Sequence, residues 1–320
     1  MRRIVLFAAM LAVAGAACAQ QDYPSRPLRM IVPWPPGQAT DLVGRVMAQK
    51  MSEVLGQQIV IDNRAGAGGM IGTDVAAKAT PDGYTLLAAS SGPVTINPLL
   101  QKAPYESERE LAPVANVCLS PYLLVAAPQF PPANAREFVA FLTANPGKYT
   151  FASSGTGATG HLVAEWFNNL AGVQVTHVPY KGSVPALTDV ISGRIAYSFE
   201  TVAATMPHVK SGRLKTYGIS LGRTSALAPG VEPLATAANV PGFDAAAWIG
   251  VMVTAGTPRP VIARIAAAAE TAMQSAEVRE KLLTVGVEVD YRPPDAFTRY
   301  LKEQTARYVD IIKKGNIKIE

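Results

Sequence analysis

The chain has 320 residues, a formal net charge of +5 and two cysteines. No run of basic residues interleaves with aromatics, so nucleic-acid binding has little support and the charge gives at most a weak pull on anions. Cys118 is the cysteine left once a leader is set aside, so the exported chain has no internal disulfide and its core must hold it together; about 300 residues suffice for that and imply two domains.

Residues 1–19 read as a cleaved signal peptide. Arg2 and Arg3 give a basic start, Ile4 to Val13 is apolar, and Ala17-Cys18-Ala19 fits small-residue cleavage after Ala19. The apolar run is short for a membrane span. Cys18 offers a lipoprotein alternative, but Gly15 stands where such sites usually carry Leu, which favours ordinary secretion. Removing the leader takes Arg2 and Arg3 and no acid, lowering the charge from +5 to +3.

Leu28 to Val32 reads as a short buried strand, followed by the loop Pro33-Trp34-Pro35-Pro36-Gly37-Gln38-Ala39 and a helix. Val43, Val46, Met47, Met51 and Val54 recur at helical spacing, and Gly56 stops the helix. Thr40 or Asp41 is expected to cap its first turn. The free N–H groups and the helix dipole favour an anion there, and Gly37 leaves room for a ligand near the backbone. The loop thus looks like half of a site for a small carboxylate, beside the plainer reading of an ordinary strand-to-helix turn.

Gln58 to Asp62 is a second strand, and Asn63 to Gly69 a glycine-rich turn into a helix from Ile71 to about Ala79. The turn has no Walker lysine, and no acidic ribose partner follows, so tight turn chemistry explains its glycines. Arg64 has two readings, an ion pair or a reach into the cleft. Thr80-Pro81-Asp82-Gly83 marks a turn, and the strand Tyr84 to Ala89 ends in Ser90-Ser91-Gly92. In open parallel sheets ligands sit outside the C-terminal ends of strands, and alternating strands and helices argue for that architecture.

Tyr122 to Ala126 is expected to carry the chain out of the first lobe. A helix over Arg136 to Ala144 and a strand over Tyr149 to Ala152 lead to the loop Ser153 to Gly160, rich in Ser, Thr and Gly, and to a helix with Leu162, Val163, Trp166, Phe167 and Leu170 on one face. The hydroxyls of Ser154, Thr156 and Thr159, with the amides of Gly155 and Gly157, can donate to carboxylate oxygens. Ser154 and His161 also raise a hydrolase reading, but the stretch is not a Gly-x-Ser-x-Gly elbow, and an i,i+4 pair with Glu165 is the economical explanation of His161. Thr176 to Pro179 is a strand running into Tyr180 and Lys181, an aromatic wall with a phenol and a cation; a solvated lysine is the equal alternative for Lys181. Ala196 to Phe199 ends in Glu200 and Thr201. A carboxylate there repels an acidic ligand end and can hold an amine, while Thr201 can cap a helix to Ser211.

Lys215 to Ser220 is a strand, Arg223 to Gly242 a loop-rich connection, and Ala246 to Val253 a buried strand returning to the first lobe. Helices follow over about Pro260 to Ser275, Ala276 to Val285 and Asp295 to Lys314. The expected lobes are 23–122 with 243–320, and 123–242.

These stretches together resemble the Bug receptor family, the periplasmic solute-binding subunits of tripartite tricarboxylate transporters. The marks are Tyr23-Pro24-Ser25-Arg26-Pro27, Ile31-Val32-Pro33-Trp34, Asn63-Arg64 with Gly66-Ala67-Gly68-Gly69, Pro81-Asp82-Gly83-Tyr84-Thr85-Leu86-Leu87, Ser154-Gly155-Thr156-Gly157 through His161-Leu162, and Val178-Pro179-Tyr180-Lys181-Gly182. Each is weak, but their joint order over nearly the whole mature chain is specific. The resemblance implies an α/β, type II periplasmic-binding-protein fold, two lobes joined by crossover strands around a central cleft. It implies a small carboxylate ligand held by loops that correspond to Pro33 to Asp41, Ser90 to Ser91, Ser154 to His161 and Pro179 to Lys181, membrane transporter subunits as partners, a periplasmic location, no cofactor or metal, and no chemistry. A monomer is expected. The family loop usually carries two adjacent glycines where this chain has Gly37-Gln38, so no relative's specificity transfers. Competing readings are a secreted hydrolase using Ser154 and His161, and a receptor that feeds a sensor protein.

Overall fold

A computed structural model describes residues 23–315 and 317; the expected leader over residues 1–19, with Cys18, lies outside the described residues. In chain order the main elements are β1 (Leu28–Val32), α1 (Ala39–Leu55), β2 (Ile59–Asn63), α2 (Met70–Ala77), β3 (Thr85–Ser90), β4 (Leu111–Ala126), α3 (Ala135–Thr143), β5 (Thr150–Ser153), α4 (Thr159–Ala171), β6 (Thr176–Pro179), α5 (Ser183–Ile191), β7 (Tyr197–Thr201), α6 (Val202–Lys210), β8 (Lys215–Ile219), β9 (Ala246–Thr254), α7 (Arg259–Gln274), α8 (Ala276–Val285), β10 (Glu288–Arg292) and α9 (Pro294–Gly315).

β1 is buried except at Arg29, the near-continuous apolar run that a strand covered on both faces requires. It pairs in parallel with β2 and β3, so the loops after β1 and β3 leave the same edge of their sheet. The same arrangement recurs around β5, which pairs in parallel with β6 and β7. β4 joins the two. Leu111 to Pro121 runs antiparallel to β9, whereas Tyr122 to Ala126 runs antiparallel to β7 and β8. β9 lies between β3 and β4 and is the second connection between the halves. Together they form an α/β fold with two β-sheet halves sharing a strand.

β4 is longer than the strand expected from Tyr122. Pro113 and Pro121 lie inside it, and proline ordinarily marks a strand's end or edge because it cannot donate to the ladder. Pro113 is tolerated because the register shifts between it and Ala115. β10 was not expected, nor was the short helix Leu234–Ala237 in the loop-rich connection. β10 pairs with β4 at Cys118 and Leu119, where the Cys118 side chain is fully buried and burial pushes its thiol well above the ordinary range. Cys118 is thus a small core residue. The other helix and strand expectations lie within a few residues of the observed bounds, and Gly56 closes α1 with φ +71°.

The first core stacks Met30, Val32, Met47 and Met51 against Ile265, Ala269 and Met273 of α7. The core around β5 and β7 is aromatic: Phe138 lies 5.0 Å from Tyr197 and 4.8 Å from Tyr217, ring to ring. A third cluster runs from Trp248 and Leu119 to Leu123, Val125 and Ile219, so apolar packing is continuous past the junction. α9 reinforces it. Its Phe297 sits edge-on to Trp248 at 5.2 Å, while Tyr308 and Ile311 cluster with Leu162 of α4 and with Ile96. Among the described residues no helix is long and apolar enough to cross a membrane.

Gly250 lies where β9 passes beneath α9. A Cβ there would stand 2.5 Å from the Ala115 carbonyl oxygen and 3.0 Å from the Phe297 ring. Gly250→Ala is expected to cost about 1–3 kcal/mol through overpacking, read as a lower urea midpoint with an unchanged slope.

Candidate functional site

The loops at the C-terminal edges of both halves converge. On the first half, the Trp34 indole Nε1 donates to Ser90 Oγ at 2.9 Å, and the Trp34 ring also closes over the glycine turns at Gly69 and Gly92. Asn63 Nδ2 donates to the Trp34 carbonyl oxygen at 2.9 Å and to Asp41 Oδ1 at 2.8 Å. Across the junction, the hydroxyls of Ser91 and Thr159 are 3.0 Å apart and share a hydrogen bond. That pair ties the end of β3 to the start of α4.

The first N–H groups of a helix have no intrahelical acceptor. No side chain among the described residues caps them at α1, α4 or α5, which leaves Ala39 and Thr40 on one side and Thr159 and Gly160 on the other as donors for an anion. The expected cap at Thr40 or Asp41 is corrected: Gln38 occupies the cap position and Asp41 is the third helical residue. The buried Asp41 carboxylate instead reaches back, accepting from the Gly37 N–H at 2.9 Å, from Arg45 Nε and from Asn63 Nδ2. Burial alone raises this carboxyl, but the hydrogen bonds from Arg45, Asn63 and Gly37 outweigh it and hold it below the usual range. Gly37, at φ +87°, is therefore shaped by the turn and its amide is engaged. Pro36 and Gln38 are exposed on the loop.

On the second half, Ser153 Oγ donates to the Gly155 carbonyl oxygen at 3.0 Å and accepts from its N–H at 3.2 Å, and it lies 2.6 Å from His177 Nε2. His177 stacks on His161 with ring centroids 3.7 Å apart. Burial, and then the neighbouring imidazole, depress His177 to about 3. His161 is buried; its Nδ1 accepts from the Gly157 N–H at 3.2 Å and its Nε2 is 3.8 Å from Glu165. His161 thus supports the loop from behind, and no hydrogen bond joins it to Ser154. The nucleophile–base pair of the hydrolase reading does not form.

The remaining candidates divide. Ser154 is half-buried and Thr156 exposed at the loop's crest. Thr201 accepts from the Ala204 N–H at 3.4 Å and caps α6. Pro179 and Lys181 are exposed, and Lys181 makes no ion pair among the described residues. The Tyr180 phenol is turned to α5, donating to Asp189 Oδ2 at 2.7 Å, so the side chain offers its ring but not a free hydroxyl. Arg64 pairs with Asp62, the first of its two readings. Glu200 is 2% exposed. Its Oε2 accepts from Ser183 Oγ at 2.7 Å and its Oε1 has no partner. Burial pushes this carboxyl up to about 7, against the hydroxyl of Ser183 and the nearby backbone N–H groups of Thr201 and Ser154.

Asn63, His177 and Ser183 do structural work here that sequence reading did not assign. A serine directly after Gly182, where a helix begins, was the available signal for Ser183; the stacking of two histidines from different elements has no sequence signal. No group of three His, Cys, Asp or Glu among the described residues is placed to hold a metal ion.

A family model described as tripartite tricarboxylate transporter family receptor matches residues 43–317. Protein BugT of Bordetella pertussis strain Tohama I is 34% identical, covering 100% of this chain and 99% of its own. Among solved structures, R. palustris Rpa4515 with adipate is 29% identical with a TM-score of 0.82, covering 92% of this chain and 99% of that one. MatC (Rpa3494) from Rhodopseudomonas palustris with bound malate is 32% identical with a TM-score of 0.78, covering 91% and 100%.

Asp41→Ala is expected to cost about 2 kcal/mol at neutral pH, the loss of hydrogen bonds to a buried charge. Because the folded carboxyl lies below its unfolded value, the advantage over the variant is present at neutral pH and is lost as acid protonates it. Denaturation of both proteins across acid pH checks the sign.

Proposed function

The chain belongs to the receptor family of tripartite tricarboxylate transporters, and on that premise we propose that this periplasmic solute-binding receptor captures a linear dicarboxylate by lobe closure and delivers it to membrane transporter subunits. The family consists of binding proteins, not enzymes. The observation that carries the reading is the Ser91–Thr159 hydrogen bond at 3.0 Å, made between candidate ligand loops of opposite halves. Adipate and malate in two relatives of similar fold support the ligand class.

In this reading one ligand carboxylate meets the first-turn amides of α1, at Ala39 and Thr40, near the Ser90 hydroxyl. The other end meets the loop Ser154 to Thr159 and the start of α4. Trp34 and the Tyr180 ring supply apolar walls for the carbon chain. The lobes are 23–122 with 243–320, and 123–242, swinging about β4 and β9. Contacts to both lobes favour the closed form, since only differential affinity shifts such an equilibrium. Lys181, free at the rim, adds a cation that steers the dianion. Residues 1–19 direct export, and the closed form is what the transporter recognises.

Calorimetry with malate, adipate, citrate, glutamate and benzoate tests this. Saturable binding of malate or adipate at a Kd of about 1 μM or tighter, with no turnover, is the expected result; no response to any carboxylate overturns it. Thr159→Val removes the bond across the cleft and is expected to weaken that binding about five- to tenfold, equivalent to one hydrogen bond; unchanged affinity would remove this pair from the mechanism.

A further inference from the structure

Two acidic side chains stand among the candidate loop residues: Asp41 is neutralised by Arg45 and bonded to Gly37 and Asn63, whereas Glu200 lacks a cationic partner among the described residues, an evident difficulty for an anion receptor. An ionised carboxylate near a ligand carboxylate is repelled strongly where water is excluded. Burial without a paired cation favours the neutral acid instead, and outweighs the hydrogen-bond donors of Ser183, Thr201 and Ser154, which favour the ionised form. Glu200 lies at the C-terminal end of β7, between β4 and β5, with Ser154, Ser183 and Thr201 as polar neighbours. Ser183 Oγ donates to Oε2 at 2.7 Å, and Oε1 is buried without a partner. No cation among the described residues pairs with it.

None of the ionisable groups on the neighbouring elements forms an ion pair with Glu200 among the described residues. Tyr122 of β4 faces Glu200, and its phenol is driven well above its ordinary range by burial and then by that carboxyl, so it stays neutral. On α4, His161 faces His177 and Glu165. On α5, Asp189 is bonded to Tyr180 and Arg194. His208 and Lys210 lie in the last turn of α6, and Lys215 of β8 donates to the Phe130 and Pro132 carbonyl oxygens. The Tyr122 phenol also lies beside the Thr159 hydroxyl, so a run of polar side chains leads from Ser91 through Thr159 and Tyr122 to Glu200.

We propose that Glu200 is a specificity-determining residue of the binding site: as a carboxylic acid it donates a hydrogen bond from Oε1 to a carboxylate of the ligand, so that capture takes up a proton from solvent. The inference rests on the carboxylate reading above. The proton comes from water or buffer, goes onto Oε1, and is released when the ligand leaves. The carboxyl's value of about 7 without ligand places the transition where it can be measured.

The test is isothermal titration of malate and adipate between about pH 6 and pH 8, where both are largely ionised, in two buffers of different ionisation enthalpy. Expected are a Kd about tenfold weaker at pH 8 than at pH 6 and a buffer-dependent heat approaching about one proton taken up per ligand at pH 8. Glu200→Gln, which keeps a donor at this position without a titrating proton, should bind independently of pH and more tightly than the natural protein at pH 8. Should the variant fail to fold, the buffer-dependent heat of the natural protein decides alone. Binding of either dicarboxylate with no pH or buffer dependence overturns the inference and leaves the carboxylate reading standing. Affinity that rises with pH also overturns it, pointing to an ionised Glu200. No binding of either dicarboxylate removes the parent reading and this inference with it.

Discussion

The backbone of Leu111–Ala126 is hydrogen-bonded to β9 and β10 over its first part and to β7 and β8 over its last five residues. Two sheets thereby share one ladder, and moving one half against the other must be absorbed near Pro121 and the matching end of β9. The apolar cluster containing Leu119, Leu123, Ile219 and Trp248 covers this junction, and α9 braces it from Phe297 to Tyr308. The loops on either side are held at a fixed edge of each sheet. This is the arrangement that the proposed hinge closure requires.

What the loops present follows from helix geometry. The first amides of a helix need acceptors, and where no side chain supplies one, an anion can. The chain places an internal carboxylate, Asp41, against the Gly37 amide and Arg45, which fixes the loop; the following amides of α1 are the ones the proposed ligand would use. On the opposite side His161 and Ser153 hold the Gly155–Gly157 backbone from below. Rigid loops lose less entropy on binding, and affinity gains from that preorganisation.

The fold was largely legible because its signals are local. The apolar runs at Leu28 to Val32 and Thr85 to Ala89, the spacing of Val43, Met47 and Met51, and the glycine after α1 each express a backbone requirement readable in one window. The full length of β4 was not, since Pro113 and Pro121 carry the opposite local signal and are accommodated only by register and by partners far away in sequence. β10 was missed although Val289 and Tyr291 alternate with charged residues, because five residues between two helices carry little weight. At the site, the loops were legible and the side-chain directions were not. Asp41 turns back to Gly37, the Tyr180 phenol turns to Asp189, and His161 turns inward to Gly157 because each finds a partner on another element. Residue type gave the chemistry, and tertiary neighbours decided where it is spent.

In the proposed mechanism both halves grip one ligand between them. Amide hydrogen exchange with and without the tightest-binding dicarboxylate tests it most directly. Protection is expected in two separate groups together: residues 37–42 and 90–92 on one side, and residues 154–161 and 182–184 on the other. Protection confined to one side, or appearing away from these loops, would contradict it.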